Sequence, residues 1–497
     1  MIYTLIESLI NKAVEKELIQ KRDSIYARNQ LMNIFQLDDF PEKRPETIDD
    51  SIPNIIEKLV DYAAKKDLIE NVFDSKEMLA ANMMNVFMPR PSDVEKTFYD
   101  KYKQSPKAAT EFFYQLSKLS NYIQRNRINK NISFTTESKY GELDITINLS
   151  KPEKDPEEIK RELQLKKENV DYPKCPLCVE NEGYVGRIGY AARSNHRMIS
   201  VPIEGETWYF QYSPYVYYNE HSILLCEEHR PMVINSDTFK RLFAFVEQFP
   251  HYFIGSNADL PIVGGSILSH DHYQAGHYSF AMEKAEKLFT FSMDKFPKIK
   301  ASVLKWPLSV IRLESTDKNE LTKAADDILQ KWMTYSDRSV NIVAYTDEER
   351  HNTITPIVRK SKNNFQIDLV LRNNRTTETY PSGIFHPHED VQHIKKENIG
   401  LIEVMGLAVL PARLKDELEE IKQFLQGKID KVAQYHEPWA KALQTKYPKV
   451  STNEEAQKII EHELGKKFER ILEDAGVFKQ TEEGIEAFKQ FIKHLNK

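Results

Sequence analysis

The chain has 497 residues, enough for two to four domains at roughly 100–200 residues each. Hydrophobic residues make up 40% and charged residues 29%, and 69 Lys+Arg against 75 Asp+Glu leave a net charge of −6, the profile of a soluble globular protein with no basic face for nucleic acid. Three cysteines, Cys175, Cys178 and Cys226, exclude a disulfide framework for a chain of this size and make the cytoplasm the default compartment.

From the first residue, Ile2, Leu5, Ile6, Leu9, Ile10, Ala13 and Val14 recur at helical spacing. Glu7, Lys12, Glu15 and Lys16 interrupt the apolar surface, so Met1–Leu18 reads as an amphipathic helix and not as a signal peptide. A second stripe, Ile52, Ile55, Ile56, Leu59, Val60 and Ala63, extends a helical region over 1–130. Pro89 and Pro91 break it at Phe87–Ser92, where Arg90 is either a phosphate contact or a partner at a helix boundary.

The period then changes. Leu143, Ile145, Ile147 and Leu149 alternate with polar residues, which marks a half-buried strand and opens a mixed region over 131–290. The charged stretch Lys151–Glu168 reads as an exposed segment or helix. Strands are predicted at Trp208–Tyr212, Ser222–Cys226, Ile262–Leu268, Val303–Leu313, Asn341–Tyr345 and Phe365–Arg372, with helices at Ser236–Gln248 and Asn319–Tyr335 between them. A second mixed region covers 291–410, and the pattern turns helical again from Leu407, giving a helical C-terminal region over 411–497. Ile399–Pro411 is the longest apolar stretch, 13 residues, against the ~20 that a bilayer needs.

Three elements carry chemistry. Cys175-Pro176-Leu177-Cys178 spaces two thiols to ligate one ion, to form a redox pair, or to stand as unliganded loop thiols. Metal fits the flanking prolines and the polar loop better than redox chemistry does. The text from His221 reads as an apolar strand ending in His229, which is either a structural histidine or the residue that completes the zinc set Cys175, Cys178, His229 and His270. The third element is Gly264-Gly265-Ser266, which lets phosphate approach the backbone, followed by His270-Asp271-His272-Tyr273-Gln274. On a strand, His270, His272 and Gln274 share one face while Asp271 and Tyr273 take the other.

A cysteine pair, a strand leading to His, and a Gly-Gly-Ser loop before His-x-His-x-Gln, in that order, resembles the galactose-1-phosphate uridylyltransferases, the transferase branch of the histidine-triad superfamily. Leu143–Pro152 and Lys395–Pro411 resemble the class II, bacterial type, and the likeness spans nearly the whole chain. It implies an α+β fold with a histidine-triad-like antiparallel sheet, flanking helices, a helical N-terminal extension and a helical C-terminal region. It also implies His272 as the nucleophile, Gln274 as the phosphate-holding amide, and Asn257, Gly265 and Ser266 as residues near the phosphates. Cys175, Cys178, His229 and His270 fall on structural zinc ligands, and Lys396 of the Lys395–Lys396 pair falls near the lysine that meets the sugar phosphate. The motif reads His-Asp-His-Tyr-Gln where class I has His-Pro-His-Gly-Gln, and Asn257 lies further upstream of the glycines. UDP-glucose and galactose 1-phosphate are the implied substrates, with no nucleic-acid or membrane partner, and the resemblance suggests a homodimer.

His386-Pro387-His388 imitates the class I catalytic text, but Glu389-Asp390 follow it, and carboxylates there would repel nucleotide phosphates. These histidines with His393 are a second metal or substrate site, or loop residues. The leaving sugar phosphate has a second pKa near ~6 and departs without a proton. The site therefore needs a nucleophile and charge stabilisation, and no strong general acid. Hydrolytic relatives carry a third histidine where Gln274 stands, so the glutamine argues for a transferase. Two rival readings draw on the same motifs: a diadenosine tetraphosphate phosphorylase-like adenylyltransferase, which shares the His-x-His-x-Gln motif, and a zinc-stabilised binding module.

Overall fold

The computed structural model describes residues 1–41, 45–150, 161, 164–165, 170–265 and 267–497. Ser266 and, apart from 161, 164 and 165, the charged stretch 151–168 lie outside the described residues. Two compact units are each assembled from separate stretches: Met1–Lys130, Ser150–Val216 and Glu220–His229 form the first, and Asn131–Leu149, Tyr217–Asn219 and Arg230–Lys497 the second.

In the first unit the apolar stripes bury as their spacing predicts. Helices Ile2–Glu15 and Ile52–Lys65 bring Leu5, Ile6, Leu9, Ile10, Ile55, Ile56 and Leu59 into one core, joined by Leu79, Met83 and Met84 of helix Phe73–Asn85. Helix starts are set locally. Ser51 Oγ accepts from the Asn54 N–H at 3.3 Å and Ser105 Oγ from the Ala108 N–H at 3.0 Å, each with a proline in the first turn. The Phe87–Ser92 break is such a start, with Pro91 opening helix Pro91–Tyr102 and Arg90 exposed at its N-cap. Strands Ile199–Ile203, Glu206–Tyr212 and Ser222–Cys226 form an antiparallel ladder, whose middle strand buries Trp208, Phe210 and Tyr212.

The second unit is built on seven strands in the spatial order His272–Gly276, Phe253–Gly255, Asn352–Ser361, Asn364–Asn373, Val310–Ser315, Lys300–Leu304 and Lys287–Phe291. Every neighbouring pair is antiparallel. Helices Ser236–Gln248 and Lys318–Thr334 pack on this sheet through Phe239, Leu242, Phe243, Leu321, Ile328 and Trp332. A second sheet pairs Ile132–Ser138 with Gly141–Ile147, and Leu407–Leu410 adds parallel to the latter. It buries Leu143, Ile145 and Ile147 with Phe468, Ile471 and Leu472 of helix Asn453–Ala475 in one core.

The α+β class and the antiparallel sheet are as expected, and four local expectations are corrected. Ile262–Leu268 is a turn and loop in its described residues, because Ile262 sits at φ 70° and Gly264 bridges Ala258. Val303–Leu313 is two strands, ending at Leu304 and resuming at Val310 around Pro307. Of Asn341–Tyr345 only Tyr345 is in a strand, the two-residue Tyr345–Thr346, since Asn341 takes the left-handed conformation after a short 3₁₀ turn. Leu407–Leu410 is a strand, and the helical C-terminal pattern begins only at Leu414. No helix among the described residues is long and apolar enough to cross a membrane.

Candidate active site

Strand His272–Gly276 begins at His272, two residues later than the alternation implies, with His270 just ahead of it. Its two faces separate as expected. Asp271 and Tyr273 turn toward helix Ser236–Gln248: the Asp271 carboxylate lies 3.7 Å from Arg241 and 3.5 Å from Arg230, and Arg241 and Thr238 interact with the Tyr273 hydroxyl. His272 and Gln274 take the opposite face.

The His272 imidazole is 6% exposed, and its Nδ1 lies 2.8 Å from the His270 carbonyl oxygen. A carbonyl only accepts, so Nδ1 carries the proton and Nε2 keeps a lone pair. Burial pushes the imidazole down to about 4, against the opposing pull of that carbonyl, so the ring is neutral near pH 7. Gln274 stands opposite Gly255 in the ladder, and its side-chain oxygen is buried with no partner. An amide held in that way has unused hydrogen-bonding capacity beside the imidazole.

The glycine loop is fixed by steric limits. A Cβ on Gly264 would lie 2.5 Å from the Leu260 carbonyl and 2.6 Å from that of Ala258, and one on Gly265 would lie 2.8 Å from Asn257 Nδ2. Asn257, 5% exposed, spends its Oδ1 on the Leu401 N–H at 2.9 Å, capping the short helix Leu401–Val404, and only its Nδ2 remains beside the loop. Of the lysine pair, Lys395 is buried and bridges to Glu403 at 3.0 Å. Lys396 is exposed and lines a cleft with His393, Arg413, Trp439 and Lys467; His272, Gln274 and Asn257 do not line that cleft.

In the first unit, Cys175 Sγ and Cys178 Sγ are 3.4 Å apart, and Cys178 Sγ is 3.1 Å from His229 Nδ1. These separations lie within about half an ångström of the edges of a tetrahedron with Zn–S bonds of about 2.3 Å and Zn–N bonds of about 2.0 Å. Asn181 Nδ2 braces the turn by donating to the carbonyls of Cys175 and Cys178, both at 2.8 Å, and the Leu177 N–H points at Cys175 Sγ. Burial and the adjacent Cys175 sulfur push the Cys178 thiol up to about 12, the opposite of an activated redox cysteine. The trio is a group of soft donors fit for a metal ion. Cys226 is a buried residue opposite Trp208.

The histidines of the imitation motif do not assemble. His386 is buried beside Pro387, His388 Nε2 meets the Ile384 carbonyl at 3.0 Å while Nδ1 lies 3.4 Å from Asp474, and His393 pairs with His436 at 2.7 Å. Among the described residues they form no three-donor metal group. Sequence reading missed Arg372, which lies on the His272 face of the sheet. Its signal was a cation ending the apolar run Leu369–Leu371.

An antiparallel sheet presenting a buried, tautomer-fixed imidazole and an amide two residues on is equipped for covalent group transfer. The family model for the N-terminal domain of galactose-1-phosphate uridyl transferase matches residues 17–231, and that for the C-terminal domain matches 245–441. The galactose-1-phosphate uridylyltransferase of Clostridium perfringens strain 13 is 51% identical, with 99% of each chain covered. Galactose-1-phosphate uridylyltransferase 1 of Streptococcus pneumoniae TIGR4 is 50% identical over 99% of each. A crystal structure of yeast Ap4A phosphorylase aligns with a TM-score of 0.35 at 12% identity, covering 66% of this chain and 92% of that one. The chain belongs to the galactose-1-phosphate uridyl transferase family.

Proposed function

We propose that the protein transfers a uridylyl group from UDP-glucose to galactose 1-phosphate through a uridylyl-His272 intermediate. The observation that carries this is the His272 Nδ1 bond to the His270 carbonyl, which leaves Nε2 as a neutral nucleophile. Nε2 attacks the α-phosphorus of UDP-glucose, the P–O bond to glucose 1-phosphate breaks, and that dianion leaves without needing a proton. A phosphate oxygen of galactose 1-phosphate then attacks the same phosphorus, and the P–N bond breaks to regenerate the imidazole and give UDP-galactose. Gln274 stabilises the phosphoryl oxygens in both steps, with Asn257 and Gly265 beside the phosphates, while Lys396, which lines a separate cleft, takes no part in this reading. Uridine-labelled UDP-glucose should label the protein in an acid-labile, base-stable form. No label, or label from an adenosine donor alone, overturns the reading.

Since the neutral imidazole attacks, activity falls only as His272 becomes protonated. The acid limb of kcat/KM is expected well below the ordinary histidine value of about 6.5. Its cause is the burial that lowers the imidazole to about 4. A limb assigned to His272 at pH 6.5 or above, in a pH profile compared with its labelling profile, would contradict the buried neutral ring.

Zinc is proposed as a structural ion held by Cys175, Cys178 and His229. When bound, it would supply a cation that keeps the two thiols ionised. Elemental analysis of protein purified without chelator should find one zinc per chain. Metal content near zero in an active preparation removes the site.

A further inference from the structure

Arg372 stands on the face of the sheet that carries His272. Gln274 is opposite Gly255, Gly255 opposite Ile357, and Ile357 opposite Asp368. Opposed residues share a face, as do alternate residues along a strand, so His272, Gln274, Asp368 and Arg372 all project to one side. Arg372 is 1% exposed. Its Nη2 donates to the Ile399 carbonyl at 2.9 Å, its Nη1 to Thr355 Oγ1 at 3.4 Å, and its Nε has no partner. The carboxylate whose field it feels, Glu403, is engaged by Lys395 and by the Gly400 N–H.

A guanidinium buried without a counter-charge is costly, and an apolar side chain of the same volume would serve packing at least as well. Its partners point to the glycine loop. The 398–401 segment that Arg372 grips at Ile399 is also held by Asn257 at Leu401 N–H, and Asn398 Nδ2 reaches the Gly264 carbonyl at 3.5 Å. Gly265 packs directly on Asn257 Nδ2.

We infer that Arg372 is a positioning residue for the transfer reaction: its unpaired charge draws the anionic phosphates of both substrates onto the His272 face, and its fork holds the 398–401 segment against the glycine loop. This rests on the proposed uridylyl transfer. The test measures kcat, KM for UDP-glucose and for galactose 1-phosphate, and thermal unfolding, in wild type, Arg372→Met, Arg372→Lys and His272→Ala. Arg372→Met is expected to melt at or above the wild-type temperature while kcat/KM for both substrates falls about tenfold to 100-fold, and Arg372→Lys, which keeps the charge, should recover most of the loss. Arg372→Met within twofold of wild type, a methionine variant that does not fold, or a lysine variant no better than methionine each overturns the inference. Wild-type protein that makes no UDP-galactose overturns the function itself instead.

Discussion

His272→Ala is expected to abolish uridylyl transfer, a loss on the order of 10⁴-fold or more in turnover, while the protein stays folded. In the proposed reaction the imidazole is the attacking group, and no side chain on the same strand face would replace it, since Gln274 is not a nucleophile. The structural cost is modest: the His270 carbonyl loses one donor, worth about 1 kcal/mol. His386→Ala and His388→Ala should keep the labelling step, because His388 is tied to the Ile384 carbonyl and to Asp474, and His386 to its own loop. Mass spectrometry of intact protein after exposure to UDP-glucose checks all three. Uridylyl-protein from His272→Ala, or its absence from His388→Ala, would move the nucleophile elsewhere.

Where local chemistry decides, the sequence was legible. The strand Ser222–Cys226 and the helix Ser236–Gln248 fall on their predicted residues, the helix begun by a reciprocal cap between Asn235 and Thr238. Leu143, Ile145 and Ile147 bury on one face because the alternation itself requires it. Ile262–Leu268 misled because an apolar run favours a strand, while close packing of Gly264 on the Leu260 and Ala258 carbonyls and the positive φ of Ile262 arise only in the folded chain. The same applies to Leu407–Leu410, which is helical by pattern and extended by pairing with Gly141–Ile147. Interleaving of separate stretches in each unit is likewise invisible to a reading that moves along the chain.

The candidate site was legible to the extent that it is continuous in sequence. His272 and Gln274 lie two apart on one strand, so one motif contains both. Arg372 is about a hundred positions away and joins them only through the register of three ladders, which periodicity does not encode. The fixing of the His272 tautomer by a backbone carbonyl two residues before it also has no side-chain signature. Asn257 was expected near the phosphates, and its oxygen proves committed to Leu401, which makes it a brace of the loop.

Gln274→Ala is expected to slow both half-reactions by about 10²–10³-fold, the loss typical of removing one donor aimed at developing charge. The half-buried amide stands two residues from the nucleophile on the same face, and its oxygen has no protein partner, so the side chain is free to turn either end toward a bound phosphoryl group. Substrate binding should change much less, since the donor matters most where the phosphoryl oxygens gather charge. Gln274→His should instead bring an ionisable donor beside the phosphorus and raise the ratio of hydrolysis to transfer, with some loss of rate from the rigid ring. Following UMP release and UDP-galactose formation in one reaction separates these effects. Unchanged turnover of Gln274→Ala in both half-reactions would reduce the residue to a packing neighbour of His272.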